Sequence, residues 1–301
     1  MQIEKSVQSV LILFTLLMFC IVNFGQKKKP VQVIKVSVQR RIPSDSVKGK
    51  TTIVNEEENW NPAQTAIIIC DMWNEHWCKG ATERVTELGP AINNVISIAR
   101  RNGVLIVHAP SDCMAYYKDY PGRKLAMKYK LDAQKDSLIS DDNLVSEKNA
   151  KWPIDQSDGG CDDIPKCKER TAWSHEIDLI KIKDNDVISD SGDELGALFY
   201  AKGIRNVILM GVHTNMCVIG RTFGLRNMMR LGMNTVLMRD LTDVMYNSKK
   251  WPKVPHFKGT LLVTNYIAEY VSPTMLSTDF TGQKPFQFSG NKYYSFQSSI
   301  K

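Results

Sequence analysis

The sequence predicts an α/β fold: a three-layer α/β/α domain on a doubly wound, mostly parallel sheet of six strands, with a long insertion. Three observations predict it. Short apolar runs are continuous enough to be buried on both faces, segments between them carry helical periodicity, and Gly or Asn marks the junctions. Residues 65–71 (TAIIICD) form the first such strand. Val85, Leu88, Ile92, Val95, Ile96 and Ala99 then recur at helical spacing, and Asn102-Gly103 closes that helix. Residues 104–109 (VLIVHA) are the next buried strand, completing a strand, helix, strand crossover and hence a parallel pair.

Residues 111–175 break the pattern and read as an insertion that rims a site, because a long irregular segment inside a compact domain usually serves a function. Apolar patterning resumes at 177–182 and 186–189. A helix over 191–202 ends at Gly203, and residues 206–212 (NVILMGV) are a further strand. A helix over 217–231, a strand over 234–238 and a helix over 257–270 complete a domain spanning 61–276. Ahead of it lies an extension, 26–60, in which VQVIKVSVQ alternates like an edge strand and the glutamates at 56–58 mark solvent exposure. Residues 277–301 carry no period and read as a flexible tail.

Of 301 residues, 43% are hydrophobic and 24% charged, which excludes a collagen, a coiled coil, a polytopic membrane protein and a wholly disordered chain. The net charge of +7 partly reflects Lys27, Lys28 and Lys29 and other basic residues near the N-terminus, and no basic stripe interleaved with aromatics follows, so nucleic acid is not expected as a partner. Residues 10–22 (VLILFTLLMFCIV) suit a signal-peptide core and fall short of the roughly 20 residues of a spanning helix. Export with removal of residues 1–25 is the expectation. The alternative is an uncleaved N-terminal membrane anchor, with Lys27, Lys28 and Lys29 favouring the cytoplasmic side.

Apart from Cys20, the cysteines are Cys70, Cys78, Cys113, Cys161, Cys167 and Cys217. They lack CxxC spacing or an adjacent histidine cluster, so neither a metal nor any other cofactor is expected. Cys161 and Cys167 share one polar loop and are the pair placed to form a disulfide in an exported chain. Gly211, Gly220 and Gly224 do not make a phosphate-binding pattern.

Open parallel sheets bind ligands beyond the carboxyl ends of their strands, where strand order reverses. The strand ends here are Asp71, His108 and the segment His213-Thr214-Asn215-Met216-Cys217. In the common doubly wound order the first and fourth strands are neighbours, which sets Asp71 beside Cys217. A cysteine opening a helix meets unpaired backbone N–H groups, which favour its thiolate; a nearby carboxylate can move the proton. A buried cysteine more commonly packs as a small hydrophobe, so position alone does not decide the matter.

The wording of two segments goes further. Residues 66–74 (AIIICDMWN) and 203–218 (GIRNVILMGVHTNMCV) resemble the opening strand and the nucleophile segment of the isochorismatase-like cysteine hydrolases. That family includes nicotinamidases, isochorismatases, carbamoylsarcosine amidohydrolases and ureidoacrylate hydrolases. The resemblance covers about residues 60–275. It implies Cys217 as nucleophile and Asp71 as general base. It also implies a cis peptide between Val212 and His213, and an oxyanion site formed by the backbone N–H groups of His213 and Cys217. A catalytic lysine falls nearest Lys183, with Lys181 or no lysine at all as alternatives, since a second alignment puts Asp190 there. Trp73, His76 and His108 are the candidate substrate rim, with Trp77 nearby. The implied activity is hydrolysis of a small amide or related C–N bond by a homo-oligomer. The alternatives are an enol-ether hydrolase and a non-catalytic binding protein of the cell envelope.

Overall fold

The structure is a computed structural model, and it describes residues 33–44, 51–130, 147 and 150–291. The expected leader, the start of the extension and the last ten positions of the chain lie outside the described residues. Strands β3 (Thr65–Cys70), β4 (Leu105–Ala109), β5 (Val187–Ile188), β6 (Asn206–Val212), β7 (Asn234–Asp243) and β8 (Thr274–Met275) pair in parallel in the order β8-β7-β6-β3-β4-β5. The parallel sheet of six is the one expected, but its membership differs: β3 to β7 fall on the segments read from the sequence, 177–182 forms no strand, and the sixth member is the two-residue β8.

Two further strands, β1 (Ile34–Pro43) and β2 (Thr51–Trp60), pair with each other as an antiparallel hairpin. Gln39 joins β1 to Thr274 of β8, so the sheet has eight strands and β2 is its edge. The extension is therefore part of the domain, and β1 is an interior strand rather than the edge. Its alternation shows why: Ile34, Val36 and Val38 are buried on one face.

The chain covers both faces of the sheet. Ile67 and Ile69 of β3 pack with Val85, Leu88, Ile92, Val95 and Ile96 of α1 (Lys79–Arg101) on one side. On the other, Ala66, Ile68 and Cys70 meet α3 (Gly192–Lys202), α4 (Leu225–Arg230) and α5 (His256–Tyr270). A short α2 (Pro121–Ala126) lies in the insertion. Residues 277–291, expected within the flexible tail, instead pack on the domain through α6 (Thr278–Thr281): Phe280 and Phe288 are buried, and the Phe286 N–H donates to Asp240 Oδ2 at 3.0 Å. Aromatic content without periodicity conceals a strap of this kind. Among the described residues, no helix is long and apolar enough to cross a membrane.

The close approach of β3 and β6 positions everything that follows. Gly211 has φ +102°, and a Cβ there would sit 2.2 Å from the carbonyl oxygen of Cys70. Gly211→Ala is expected to destabilise the fold by at least about 2 kcal/mol, from both the steric overlap and the left-handed backbone. Thermal unfolding checks it: an unchanged midpoint contradicts this packing.

Candidate active site

Asp71 leaves β3 at the carboxyl end of the sheet with φ +47°, a left-handed conformation uncommon for a residue with a side chain. Its carboxylate is fully buried, and the Ser111 N–H at the end of β4 donates to Oδ1 at 2.7 Å. Oδ2 makes no complete hydrogen bond; Arg221 Nε lies 3.6 Å away and the Cys217 thiol faces it. Burial raises the Asp71 carboxyl to about 6, against the bonds from Cys217 and Ser111 that favour its charged form. It is thus ionised at neutral pH yet basic enough to take a proton.

Cys217 arrives from the neighbouring strand. β6 ends at Val212, the Val212–His213 peptide is cis, and a π-helical turn, Thr214–Val218, carries the cysteine. The Val218 N–H donates back to the His213 carbonyl at 3.2 Å, which widens the turn. Burial pushes the Cys217 thiol up to about 12, and the Asp71 charge adds to the effect. This corrects the expectation of a resting thiolate. A single short turn supplies little dipole, and desolvation beside a carboxylate outweighs it. Cys217 is a thiol whose proton has one evident acceptor, Asp71.

The helix expected over 217–231 is interrupted, with α4 beginning only at Leu225. Its first turn nonetheless persists, since the Arg221 N–H donates to the Cys217 carbonyl at 3.0 Å. Arg221 therefore stands one turn after Cys217, and its guanidinium contacts both the thiol and the Asp71 carboxylate. Asp112 of the insertion holds its other edge at 3.3 Å.

Lys183 is not brought to this site. It is exposed in the loop that enters β5, at the amino end of a parallel sheet whose carboxyl ends carry Asp71 and Cys217, and its backbone N–H donates to Asp186. Lys181 is exposed on the same loop, with Nζ on the Asp178 carbonyl. The cation beside the Asp–Cys pair is Arg221. Its i, i+4 spacing from Cys217 was the signal available in the sequence. Arg221→Ala is expected to lower turnover on the order of a hundredfold, by the loss of a preorganised positive group, whereas Lys183→Ala leaves turnover unchanged. Steady-state kinetics on both variants decides between them; the reverse ranking restores the lysine.

The proposed rim residues divide. His108 is completely buried, with Nδ1 2.6 Å from Glu176 and Nε2 3.2 Å from Asp186, so it is no part of a substrate rim. Burial alone would lower it; the two carboxylates overcome that and raise it to about 9. Trp73 is also buried, its ring stacked on Trp173 at 4.2 Å and its Nε1 donating to the Ser111 carbonyl. Trp173 comes from the insertion and covers one face of the Trp73 ring. Cys217 packs against this group together with Cys113.

His76 meets His213 edge to face at 5.0 Å. Burial lowers His76 to about 4 and holds His213 well below its ordinary value, so both are neutral. The Cys78 N–H donates to His76 Nδ1 at 3.1 Å. A cavity of about 420 Å³, lined by Glu75, His76, Trp77, Cys167 and Arg170 among others, opens on the His76 side and does not include Cys217.

The cysteines also differ from expectation. Cys161 and Cys167 are free rather than joined, and the fold gathers Cys78, Cys161 and Asp163 with their ligand atoms within 4.8 Å of one another. Spacing rules missed this grouping because Cys78 is far from the other two in sequence.

No protein-family model and no curated protein sequence matches the chain. Solved structures do. A cysteine hydrolase from Pseudomonas syringae pv. phaseolicola 1448A is 15% identical, covering 73% of this chain and 92% of its own, with a TM-score of 0.44. An isochorismatase from Pseudomonas putida KT2440 is 11% identical, covering 73% and 91%, with a TM-score of 0.42. A pyrazinamidase of Pyrococcus horikoshii, in complex with zinc, is 15% identical over 68% and 94%, with a TM-score of 0.38.

Proposed function

We propose that this chain is an isochorismatase-like cysteine hydrolase that cleaves a C–N bond of a small amide or related substrate. One observation carries the reading: the Cys217 thiol faces the buried carboxylate of Asp71 at adjoining strand ends, with Arg221 against both.

In this mechanism Asp71 takes the Cys217 proton as sulfur attacks the substrate carbonyl carbon. The C=O π electrons pass to oxygen, giving a tetrahedral adduct. The backbone N–H groups of His213 and Cys217 are proposed to stabilise that oxyanion. Collapse of the adduct breaks the C–N bond, and the leaving nitrogen takes the proton from Asp71. Water, deprotonated by Asp71, then cleaves the thioester and returns the thiol. Arg221 stabilises whichever partner carries the negative charge.

A second reading draws on the same carboxyl. An Asp raised to about 6 can also deliver a proton, as hydrolysis of an enol ether requires, without covalent use of Cys217. The test is a panel of small amides, ureido acids and enol ethers, followed by intact-mass measurement after rapid quenching. An acyl adduct that maps to Cys217 supports the covalent route. Turnover of an enol ether with no adduct supports the second, and no turnover of any substrate counts against both.

A further inference from the structure

We infer that Cys78, Cys161, Cys167 and Asp163 form a zinc-binding site that ties the insertion to the start of α1, a role separate from the Asp71–Cys217 centre. Cys78 immediately precedes α1, and the other three residues come from the insertion. The three thiols converge on one atom: Asp163 Oδ2 lies 3.3 Å from Cys78 Sγ, 3.4 Å from Cys161 Sγ and 3.2 Å from Cys167 Sγ. The Gly80 N–H adds a fourth donor at 3.1 Å.

A carboxylate oxygen offers about two lone-pair directions, and a thiol is a weak donor, so this convergence makes poor use of hydrogen bonding. It suits a cation well. With Zn–S near 2.3 Å and Zn–O near 2.0 Å, a tetrahedral site has S···O edges of about 3.5 Å. The observed S···O separations lie close to that edge; Cys78 Sγ, Cys161 Sγ and the Asp163 oxygen lie within 4.8 Å of one another, and Cys167, outside that trio, has to close in on the ion to complete the set. Soft sulfur with one hard oxygen in a tetrahedral set favours zinc over calcium or magnesium.

The surroundings fit a ligand set that becomes anionic on binding. The amino end of a 23-residue helix faces it, with the Gly80 N–H on Asp163 and the Lys79 N–H on Cys167. Arg84, which bonds Asp243 and pairs with Asp162, lies one turn further along and acts electrostatically on Cys78. Cys78 and Cys161 are buried among Ala81 and Met245, and Trp77, Met216 and Cys167 cover them. An ion there joins the loop carrying His76 and Trp77 to the insertion that supplies Trp173, with Met216, the neighbour of Cys217, against its flank.

The test uses the full chain purified under reducing conditions without added chelator. Elemental analysis is expected to find about one zinc per chain, retained in Cys217→Ala and lost in Cys161→Ser, with Asp163→Asn intermediate. Wild-type protein loaded with cobalt(II) in place of zinc is expected to show thiolate-to-metal charge-transfer absorption and intense tetrahedral ligand-field bands. The cobalt spectrum keeps the proposal falsifiable even where a cysteine variant does not fold. Reduced wild-type protein with no zinc and no charge-transfer band overturns the proposal. So does copper or iron in place of zinc, or a non-reduced digest showing Cys161 disulfide-bonded to Cys167 or Cys78.

Discussion

Cys217→Ala is expected to reduce turnover by roughly a thousandfold or more, because nucleophile and base act as one unit and neither replaces the other. Losing one sulfur leaves a small void, so the fold should survive, as circular dichroism melting will show. Cys217→Ser sharpens the test. A base raised only to about 6 can draw a proton from a thiol far more readily than from an alcohol, so the serine variant should be nearly as inactive as alanine. Wild-type turnover in Cys217→Ala would remove covalent cysteine catalysis from this protein.

Asp71→Asn is expected to remove activity to a similar extent while making the protein more stable at neutral pH. The sign follows from linkage. The folded-state value, about 6, lies above the ordinary aspartate value of 3.8, so between those values the folded chain binds more protons than the unfolded one. Asp71 therefore contributes stability at low pH that is lost as pH rises from about 4 through about 6. Above that window its buried charge costs on the order of 2–3 kcal/mol, which a neutral asparagine avoids. The melting temperature of Asp71→Asn should exceed wild type by several degrees at pH 7 and not at pH 4. Wild-type turnover should fall as pH drops through about 6, where the base is protonated. A less stable Asp71→Asn at pH 7 contradicts the buried, ionised carboxylate.

The parallel strands and the long helix were legible because burial on both sides leaves an unmistakable apolar run, as at Ile67-Ile68-Ile69, and one-sided burial leaves the 3.6 period of Val85 to Ala99. The hairpin was half legible. Alternation exposed β1, but Glu56, Glu57 and Glu58 in β2 read only as solvent-exposed and not as a strand, since an edge strand has too few buried positions to show a pattern. Asp71 and Cys217 could be found from strand ends; Lys183 was misplaced because β5 is only two residues long and anchors no alignment. The cysteine cluster was illegible for another reason. Its members are gathered by tertiary packing, with Cys78 bonded to Asp163 across 85 positions, and local spacing carries no record of that.

β2 closes the sheet on one side, and its composition affects how copies of this chain can meet. An unpaired strand is a template for another strand, and two such edges brought together antiparallel would continue one sheet through both molecules. Here the exposed run contains Glu56 and Glu57, with Glu58 beside them. A symmetric pairing centred on that run would set carboxylates opposite carboxylates at strand spacing, where like charges repel. The hairpin thus disfavours continuation of the sheet through this edge in a symmetric pairing of two copies.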